Sequence, residues 1–337
     1  MRIAVLGLGF MGSTHLKALR NVPAATLAAV VSSDDAKLAG DLSGIQGNLG
    51  GPGEKMDFSA ISRYHTVDEA LADPSIDAVD ICLPTDRHAS VTLDALRAGK
   101  HVLVEKPMAL DGDMADRMIA EAARSNRLLM TAQVLRFFPA YAKTAELVKS
   151  AQLGPVRSAI FRRRCAAPAW SKWLSNPAVS GGGVFDLLIH DVDYCVDLFG
   201  APAAVSATGH EDMPRGIDCI VAQFHYPGLD VVVTGGWHHP KAYPFSMEFT
   251  VVSDGGTLEF NSAGRPLTLY QADGTEAPVA LADTDGFQAE LEYFVACASS
   301  GRKPERCPPE DSATAVRLTR AMLESRSRNG GRIACSH

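Results

Sequence analysis

The sequence predicts an α/β protein of two domains: a parallel, doubly wound sheet at the N-terminus, then an α+β domain with a large, mainly antiparallel open sheet. The chain has 337 residues, which exceeds one typical globular core. Strands alternate with helices over the first 130 residues, whereas strands follow one another in the later part. We therefore expect a nucleotide-type domain over residues 1–133 and a substrate-binding and oligomerisation domain over residues 134–337.

Short apolar runs alternate with amphipathic stretches in the first domain. The predicted strands are Ile3–Leu6, Leu27–Val31, Ala78–Leu83, His101–Val104, Leu128–Thr131 and a weaker one at Arg63–His65. The predicted helices are Thr14–Asn21, Val67–Ala72, His88–Ala98 and Gly112–Ser125. Continuous apolar strands separated by helices indicate a buried parallel sheet with right-handed crossovers. The glycine-rich segment Gly40–Ala60 breaks this rhythm and is expected to be a surface loop.

The second half has a different pattern. Val156–Arg164 is predicted as a strand and Gly183–Phe199 as a helix, because its apolar residues recur at helical spacing. Six more strands are predicted at Ala204–Thr208, Cys219–His225, Val231–Trp237, Phe245–Ser253, Thr257–Phe260 and Leu267–Tyr270, and two closing helices at Gly286–Ser299 and Pro308–Ser325. Turns such as Tyr226-Pro227-Gly228 separate the strands, so we expect antiparallel hairpins with one open sheet face.

Composition excludes several classes of protein. The net charge is −7, and this acidic balance lacks the basic footprint of a nucleic-acid-binding protein. Seven cysteines occur without a C-x-x-C pair, which is typical of reduced intracellular thiols. No segment reaches the ~20 apolar residues that a membrane span needs. We therefore expect a cytoplasmic protein without nucleic-acid or membrane partners.

A dinucleotide fingerprint opens the chain. Gly7-x-Gly9-x-x-Gly12 follows an apolar strand and precedes a helix, the context in which this motif binds a pyrophosphate. The sequence therefore predicts a Rossmann domain that binds NAD or NADP. The predicted cofactor-binding residues here are Gly7, Gly9, Phe10, Met11, Gly12, Ser32 and Ser33. Because Ser32 and Ser33 end the second strand, with Asp34 and Lys37 beyond them, the sequence does not decide between NAD and NADP.

Three further stretches make the pattern more specific. They are Ile81-Cys82-Leu83-Pro84-Thr85-Asp86-Arg87-His88, Glu105-Lys106-Pro107 and the run from Ser180 to Asp193, which contains G-G-x-x-x-D-x-x-x-H. With the fingerprint, they make residues 1–260 resemble the Gfo/Idh/MocA oxidoreductase family, which includes glucose-fructose oxidoreductase and inositol dehydrogenase.

This resemblance implies a set of site residues. Lys106, Asp186 and His190 correspond to family residues that reach the substrate pocket. Pro84, Thr85, His88 and Glu105, together with Lys106, correspond to residues near the cofactor. The family's arginine pair at the domain exit is replaced by Leu135-Arg136, which places the role of position 135 in question. The implied substrate is a sugar, an inositol or a related polyhydroxylated compound.

The residues themselves agree with this chemistry. Lys106 follows a parallel strand, at the end where such sheets bind ligands, and Asp186 and His190 are four apart on one helix face. We hypothesise that His190 takes a substrate hydroxyl proton while Lys106 stabilises the alkoxide; the reverse assignment stays open. Arg163 and Trp173 are further candidates for substrate binding. Asp193 extends the pair to three potential metal ligands, but zinc sites are usually richer in Cys and His, so no metal is expected.

Two other functions remain open at this level. Some family members hydrolyse glycosides with transiently reduced NAD, and others are non-enzymatic NAD(P)-responsive regulators. The presence of Lys106, Asp186 and His190 favours the oxidoreductase, since a sensor needs no proton-transfer residues. Apolar side chains at Val231–Val233 and Phe245–Val252 also predict a homodimer or homotetramer through the open sheet face.

Overall fold

The computed structural model describes residues 1–47, 53–169 and 172–335. The central part of the glycine-rich segment and two residues of the loop before Gly183 lie outside this range. Up to residue 132 the elements are β1 (Arg2–Leu6), α1 (Phe10–Leu19), β2 (Thr26–Val31), α2 (Asp35–Leu38), β3 (Ser62–Tyr64), α3 (Val67–Ala72), β4 (Ala78–Ile81), α4 (His88–Arg97), β5 (His101–Glu105), α5 (Gly112–Ser125) and β6 (Leu129–Ala132).

The later elements are dominated by strands. They are α6 (Pro139–Lys149), β7 (Val156–Cys165), α7 (Pro177–Ser180), α8 (Gly183–Phe199), β8 (Ala204–Asp212), β9 (Ile217–Tyr226), β10 (Leu229–Trp237), β11 (Ser246–Ser253), β12 (Gly256–Asn261), β13 (Arg265–Gln271), β14 (Glu276–Pro278), α9 (Gly286–Ser300), α10 (Pro309–Ser327) and β15 (Ile333–Ala334). Every strand and helix expected from the sequence has a counterpart here, whereas α2, α6, α7, β14 and β15 were not expected.

The chain divides into two compact units. The first contains Met1–Val134 together with Thr284–Ala313, and the second contains Leu135–Asp283 and the residues from Thr314 onward. The first break falls beside the expected boundary at residue 133. The sequence suggests two contiguous domains, whereas the structure assigns α9 to the first unit, where it packs against α1.

The first unit is built on a six-stranded parallel sheet. Its strand order is β3-β2-β1-β4-β5-β6, and every pairing in it is parallel. Strands β1, β4 and β5 are buried along almost their whole length, as the continuous apolar runs predict. The chain reverses its direction of winding between β1 and β4, and such a switch point is where doubly wound sheets bind their ligands. The predicted Rossmann architecture is confirmed.

The glycine-rich segment is more than a surface loop. Leu42, Met56 and Phe58 are buried and pack with Val5 and Leu16 in one hydrophobic cluster. Asp41 and Lys55 form a β-bridge. The described flanks of this segment therefore contribute to the core next to β1 and α1, and the expectation of a simple surface excursion is wrong for them.

The second unit is built on a nine-stranded sheet. Its order is β14-β13-β12-β11-β7-β10-β9-β8-β15, with β10 and β7 parallel and the other pairs antiparallel. The predicted open, mainly antiparallel sheet is confirmed. One face packs on α8 through an aromatic cluster in which the Tyr194 ring lies 5.0 Å from Tyr141 and 5.6 Å from Phe161.

The opposite face of this sheet carries apolar side chains in the open. Ile160 is 48% and Val221 54% exposed. Val232 is adjacent to Ile160 across the β7–β10 pair and half-buried. Val231 and Val233 are fully buried, because alternate residues of a strand point to opposite faces. Of the predicted Val231–Val233 stretch, only Val232 therefore faces outward.

Within the described ranges, no helix is both long enough and apolar enough to cross a membrane.

Candidate active site

Three glycines shape the turn between β1 and α1. Gly7 has a φ of +100°, and a Cβ there would lie 2.6 Å from the Cys82 carbonyl oxygen; a Cβ on Gly12 would lie 1.9 Å from the Gly7 carbonyl oxygen. A Cβ on Gly9, in contrast, would meet no atom within 4 Å. Gly7 and Gly12 are therefore required by the fold, while Gly9 leaves the open space that a pyrophosphate needs.

The start of α1 suits an anion. Gly9 is the N-cap residue, no side chain caps this end, and the first turn carries no acidic residue. A helix N-terminus with available N–H groups favours negative charge. Phe10 and Met11 form the first turn, and the Phe10 ring packs closely against Gly47, where a Cβ would lie 2.0 Å from the ring. The residues present therefore fit a dinucleotide.

The end of β2 presents small polar residues. Ser33 is exposed and Ser32 half-buried, and the Ser32 Oγ accepts a hydrogen bond from the Asp34 backbone N–H. The Asp34 carboxylate caps α2 by accepting from the N–H groups of Ala36 and Lys37. Asp34 is the only acidic residue between β2 and α2, and one oxygen of its carboxylate is thus engaged in capping α2.

The loop after β4 is held by a buried histidine. His88 is 1% exposed; its Nδ1 lies 2.7 Å from the Pro107 carbonyl oxygen and its Nε2 lies 2.8 Å from the Leu83 carbonyl oxygen. Burial lowers the pKa of His88, although both carbonyl contacts oppose that shift. The ring thus lies between two loops, and its predicted cofactor contact stays a prediction. Pro84 and Thr85 precede it, with Thr85 buried.

Lys106 stands out by its exposure. From Val102 to Ala109, a fully described stretch, it is the only residue that is not buried. Glu105, 4% exposed, accepts a hydrogen bond from the Lys106 backbone N–H at 3.1 Å. The predicted lysine is thus half-buried at an otherwise buried strand end, beside a carboxylate that faces inward.

The inward-facing carboxylate meets a buried polar cluster that sequence reasoning missed. His15 on α1 is fully buried; its Nδ1 lies 2.8 Å from Asp80 Oδ2 and its Nε2 3.1 Å from Glu105 Oε1. Burial by itself lowers the pKa of His15, but Asp80 and Cys82 outweigh it and raise the pKa well above 6.5. The His15 ring therefore lies between two carboxylates, of which Asp80 is the one that raises its pKa.

Asp186 and His190 stand out in the same way as Lys106. Both lie on α8, and all other residues from Gly183 to Val196 are buried. Because they are four residues apart, they share one face of the helix. Between Gly183 and Val196, a carboxylate and an imidazole are therefore the only half-buried side chains of α8.

The start of α8 is fixed from outside the helix. Asp218 on β9 accepts a hydrogen bond from the Val184 N–H at 2.9 Å and is itself paired with Arg326 on α10 at 2.5 Å. A Cβ on Gly182 would lie 2.8 Å from the Asp218 carboxylate, and one on Gly183 would lie 2.5 Å from the Trp237 ring. Gly182 and Gly183 thus let the start of α8 approach the Asp218 carboxylate and the Trp237 ring.

Two buried ion pairs fix the middle of α8. Arg163 on β7 holds Asp191 through two hydrogen bonds of 2.7 and 3.1 Å. Arg136 holds Asp193 through two of 2.8 Å. Residues two apart on a helix lie on nearly opposite sides, so the helix is held on both flanks of His190.

These pairs change the interpretation of two predicted residues. Arg163 is 2% exposed and its guanidinium is engaged by Asp191, so the geometry favours positioning of α8 over the predicted substrate contact. Asp193, considered as a metal ligand, is fully buried against Arg136. Trp173 lies half-buried in the loop before α7, where its substrate contact stays a prediction.

One group of potential metal ligands occurs among the described residues. It consists of His15, Asp80 and Cys82, with ligand atoms within 4.8 Å of one another. The hydrogen bond between His15 and Asp80 and the elevated pKa of the Cys82 thiol, which burial raises, account for this cluster without an ion.

Comparison with known proteins agrees with the fold. The chain matches the family model described as oxidoreductase family, NAD-binding Rossmann fold, over residues 1–133, and that of the GFO/IDH/MocA C-terminal domain over residues 141–259. The predicted nicotinamide dinucleotide cofactor and oxidoreductase class are thereby confirmed.

Individual relatives extend over most of the chain. D-xylose 1-dehydrogenase (NADP(+)) 2 of Haloferax volcanii is 28% identical over 94% of this chain and 96% of that protein. scyllo-Inositol 2-dehydrogenase (NAD(+)) of Bacillus subtilis is 32% identical over 90% and 88%. Other curated relatives match over about half of their own length.

A solved structure gives the same result. The aldose-aldose oxidoreductase from Caulobacter crescentus, complexed with glycerol, superimposes with a TM-score of 0.83, 25% identity and 99% coverage of both chains. The paired family models cover most of the sequence and the similarity to these enzymes is end to end. The chain belongs to the GFO/IDH/MocA family of oxidoreductases.

Proposed function

We propose that this protein is an NAD(P)-dependent dehydrogenase or reductase of a sugar, an inositol or a related polyhydroxylated compound. The observation that carries the proposal is the partial exposure of Lys106, Asp186 and His190, each in an otherwise buried stretch. Ionisable side chains that remain accessible where their neighbours are buried are candidates for proton transfer.

Each of the three residues has a role in the proposed reaction. His190 accepts the proton of a substrate hydroxyl, and the ammonium of Lys106 stabilises the oxyanion that forms. Asp186, one helical turn before His190, orients the imidazole. The reverse assignment, in which Lys106 accepts the proton, uses the same residues. The pH–rate profiles of the Lys106→Ala and His190→Ala variants separate the two.

The cofactor is held mainly by backbone. Gly9, Phe10 and Met11 offer the start of α1 to the pyrophosphate, while Ser32 and Ser33 border the ribose position at the end of β2. Pro84 and Thr85 follow β4 at the same end of the sheet. When bound, the nicotinamide supplies the acceptor or donor of the hydride. The proposed cofactor is NAD or NADP, and the proposed site has no metal.

The substrate class comes from the relatives. Their names specify xylose and scyllo-inositol as substrates, both of which carry several hydroxyl groups on a small ring. Trp173 on its loop is a candidate for an apolar contact with such a ring.

A substrate panel tests this proposal. Sugars and polyols are assayed with NAD and NADP separately by the absorbance of the reduced nicotinamide, and at least one is expected to give stoichiometric reduction. Lys106→Ala and His190→Ala should each lower turnover about 10²–10⁴-fold, whereas the exposed Lys55→Ala and His210→Ala should not. Unchanged turnover in either active-site variant, or glycoside cleavage without net reduction, contradicts it.

We further propose a cytoplasmic homodimer or homotetramer. All seven cysteines lie in the described ranges and none is in a disulfide, in keeping with a reducing compartment. The exposed Ile160 and Val221 on the open face of the second sheet suit packing against a second copy.

A further inference from the structure

We infer that two buried histidines, His15 and His88, act as positioning residues for Lys106 by holding the residues on either side of it. The inference rests on the proposed function, because it assigns a purpose to the placement of that lysine. Neither ring is exposed, so neither is a catalytic residue. All the groups involved lie within the first unit.

The first histidine acts through the preceding residue. His15 Nε2 lies 3.1 Å from Glu105 Oε1, and the other oxygen of that carboxylate accepts the Lys106 backbone N–H. His15 is in turn hydrogen-bonded to Asp80 on β4 through Nδ1. One buried ring on α1 therefore lies between Asp80 of β4 and the carboxylate that holds the backbone of Lys106.

The second histidine acts through the following residue. His88 Nδ1 lies 2.7 Å from the carbonyl oxygen of Pro107, and His88 Nε2 lies 2.8 Å from that of Leu83. The ring thus joins the loop after β4 to the loop after β5. Lys106 is held on its N-terminal side by a carboxylate that His15 fixes and on its C-terminal side by a carbonyl that His88 fixes.

The physical reason for such an arrangement is the length of the lysine side chain. Four rotatable bonds let an ammonium sweep a wide volume unless its backbone is fixed, and a displacement of about 1 Å in a catalytic group can lower the rate about 10²-fold. Close polar contacts from buried rings restrict the backbone without occupying the accessible space around the amine.

Amide substitutions separate the two nitrogens of each ring. A glutamine amide reaches the position of Nε2 and an asparagine amide that of Nδ1. His15→Gln therefore keeps a donor for Glu105, and His15→Asn does not. At the second position the order is reversed: His88→Asn keeps a donor for Pro107, and His88→Gln does not.

The experiment compares these four variants by two readouts. One is the rate at which acetic anhydride modifies the Lys106 amine, measured by peptide mass spectrometry against Lys55 of the same chain, which is 79% exposed; this needs no substrate. The other is kcat and KM on a substrate from the panel.

We expect His15→Asn and His88→Gln to lower kcat about 10- to 100-fold, to change KM by a smaller factor, and to change the labelling rate of Lys106 relative to that of Lys55. His15→Gln and His88→Asn should retain about 10-fold more kcat than their counterparts.

The outcomes are distinguishable. Equal labelling and equal kcat within each pair, or the opposite order, would overturn the inference. Wild-type turnover in Lys106→Ala would instead defeat the proposed function, while the labelling comparison would still test the inference. If the charged cluster does not tolerate His15→Asn, as circular dichroism would show, the His88 pair and Glu105→Gln, which keeps an acceptor for the Lys106 N–H, provide the test.

Discussion

At the residue scale, the glycines of the first turn show how one motif serves two purposes. Gly12 is needed by the protein itself, since a Cβ there would lie 1.9 Å from the Gly7 carbonyl oxygen, whereas a Cβ on Gly9 would meet nothing within 4 Å. Gly9 adopts an extended conformation with a φ of −90°, which alanine also allows.

Alanine substitutions should therefore separate folding from cofactor binding. Gly12→Ala is expected to lower the free energy of unfolding by about 1–3 kcal/mol or more, through forced overpacking. Gly9→Ala should leave that free energy within about 0.5 kcal/mol of wild type but weaken NADH binding. Denaturant unfolding and fluorescence titration with NADH measure the two effects. Equal loss of stability in both variants would contradict this account of the turn.

A second residue-scale prediction concerns pH. The groups facing the His15 ring are the Asp80 and Glu105 carboxylates and the Cys82 thiol, with the Phe287 ring 6.0 Å away. Because the folded pKa of His15 is raised well above 6.5, its charge contributes stability that is fully present below pH 6.5 and is lost as the pH rises through the folded pKa.

The difference in the free energy of unfolding between wild type and His15→Gln is expected to shrink as the pH rises. The free energy of unfolding of wild type should exceed that of His15→Gln most at pH values below 6.5, and the excess should shrink as the pH rises. Urea unfolding at a series of pH values measures this difference. A difference that grows with pH would show that the buried ring is neutral.

The residues of the site could be predicted only as far as they follow local patterns. The glycine turn, Lys106 and the Asp186/His190 pair carry local motifs. The pairing of His15 with Asp80, 65 residues apart, has no local signal. Arg163 and His88 were expected at ligands because charged and polar side chains are usually exposed, and their burial depends on distant partners.

At the scale of elements, α8 shows a helix whose position depends on its surroundings. Its start is capped by Asp218 of β9 rather than by a residue of its own, and Arg163 and Arg136 hold its flanks. Loss of one partner from a buried ion pair costs about 3–5 kcal/mol, because the other charge is left unpaired.

Substitutions at the external cap test this dependence. Asp218→Ala should lower the free energy of unfolding by about 3–5 kcal/mol, since it removes the cap and the buried one of the two carboxylates that pair with Arg326. Asp218→Asn retains an acceptor for the Val184 N–H and should cost less. The matched control is Glu211→Ala: Glu211 also pairs with Arg326 but is 52% exposed, so its loss should cost under about 1 kcal/mol. Denaturant unfolding compares the three, and similar costs for Asp218→Ala and Glu211→Ala would contradict the cap.

Helices and strands whose apolar residues recur at a regular spacing could be predicted from the sequence. The other elements either lack a capping residue that marks their start or are too short to show a pattern. Helix α6 was not expected because it begins after Phe138 without any side-chain cap. Strands β14 and β15 have three and two residues, and pairing with a neighbouring strand rather than local preference defines them. Helix α1 begins at Phe10 rather than Thr14, because Gly9 as N-cap carries no polar signal.

At the scale of the whole molecule, the open face of the nine-stranded sheet carries exposed apolar side chains, Ile160 and Val221 among them. The proposed homo-oligomer places Ile160 and Val221 in its interface. Val221→Glu should therefore reduce the molar mass in solution to that of the monomer, or raise the dissociation constant, because a charge would be buried without a partner. Light scattering after size-exclusion chromatography measures this. Leu281→Glu is the control: Leu281 is 40% exposed but outside the sheet. An oligomer that persists in Val221→Glu and dissociates in Leu281→Glu would place the interface elsewhere.

The central claim is that Lys106 and His190 act on one substrate, and a double-mutant cycle on turnover tests it most directly. Groups that act as a unit in catalysis give strongly non-additive losses. We predict that Lys106→Ala and His190→Ala each lower kcat/KM about 10²–10⁴-fold, and that the double variant is less than about 10-fold slower than the worse single one. Losses that multiply in full, or wild-type turnover in either single variant, would contradict the account.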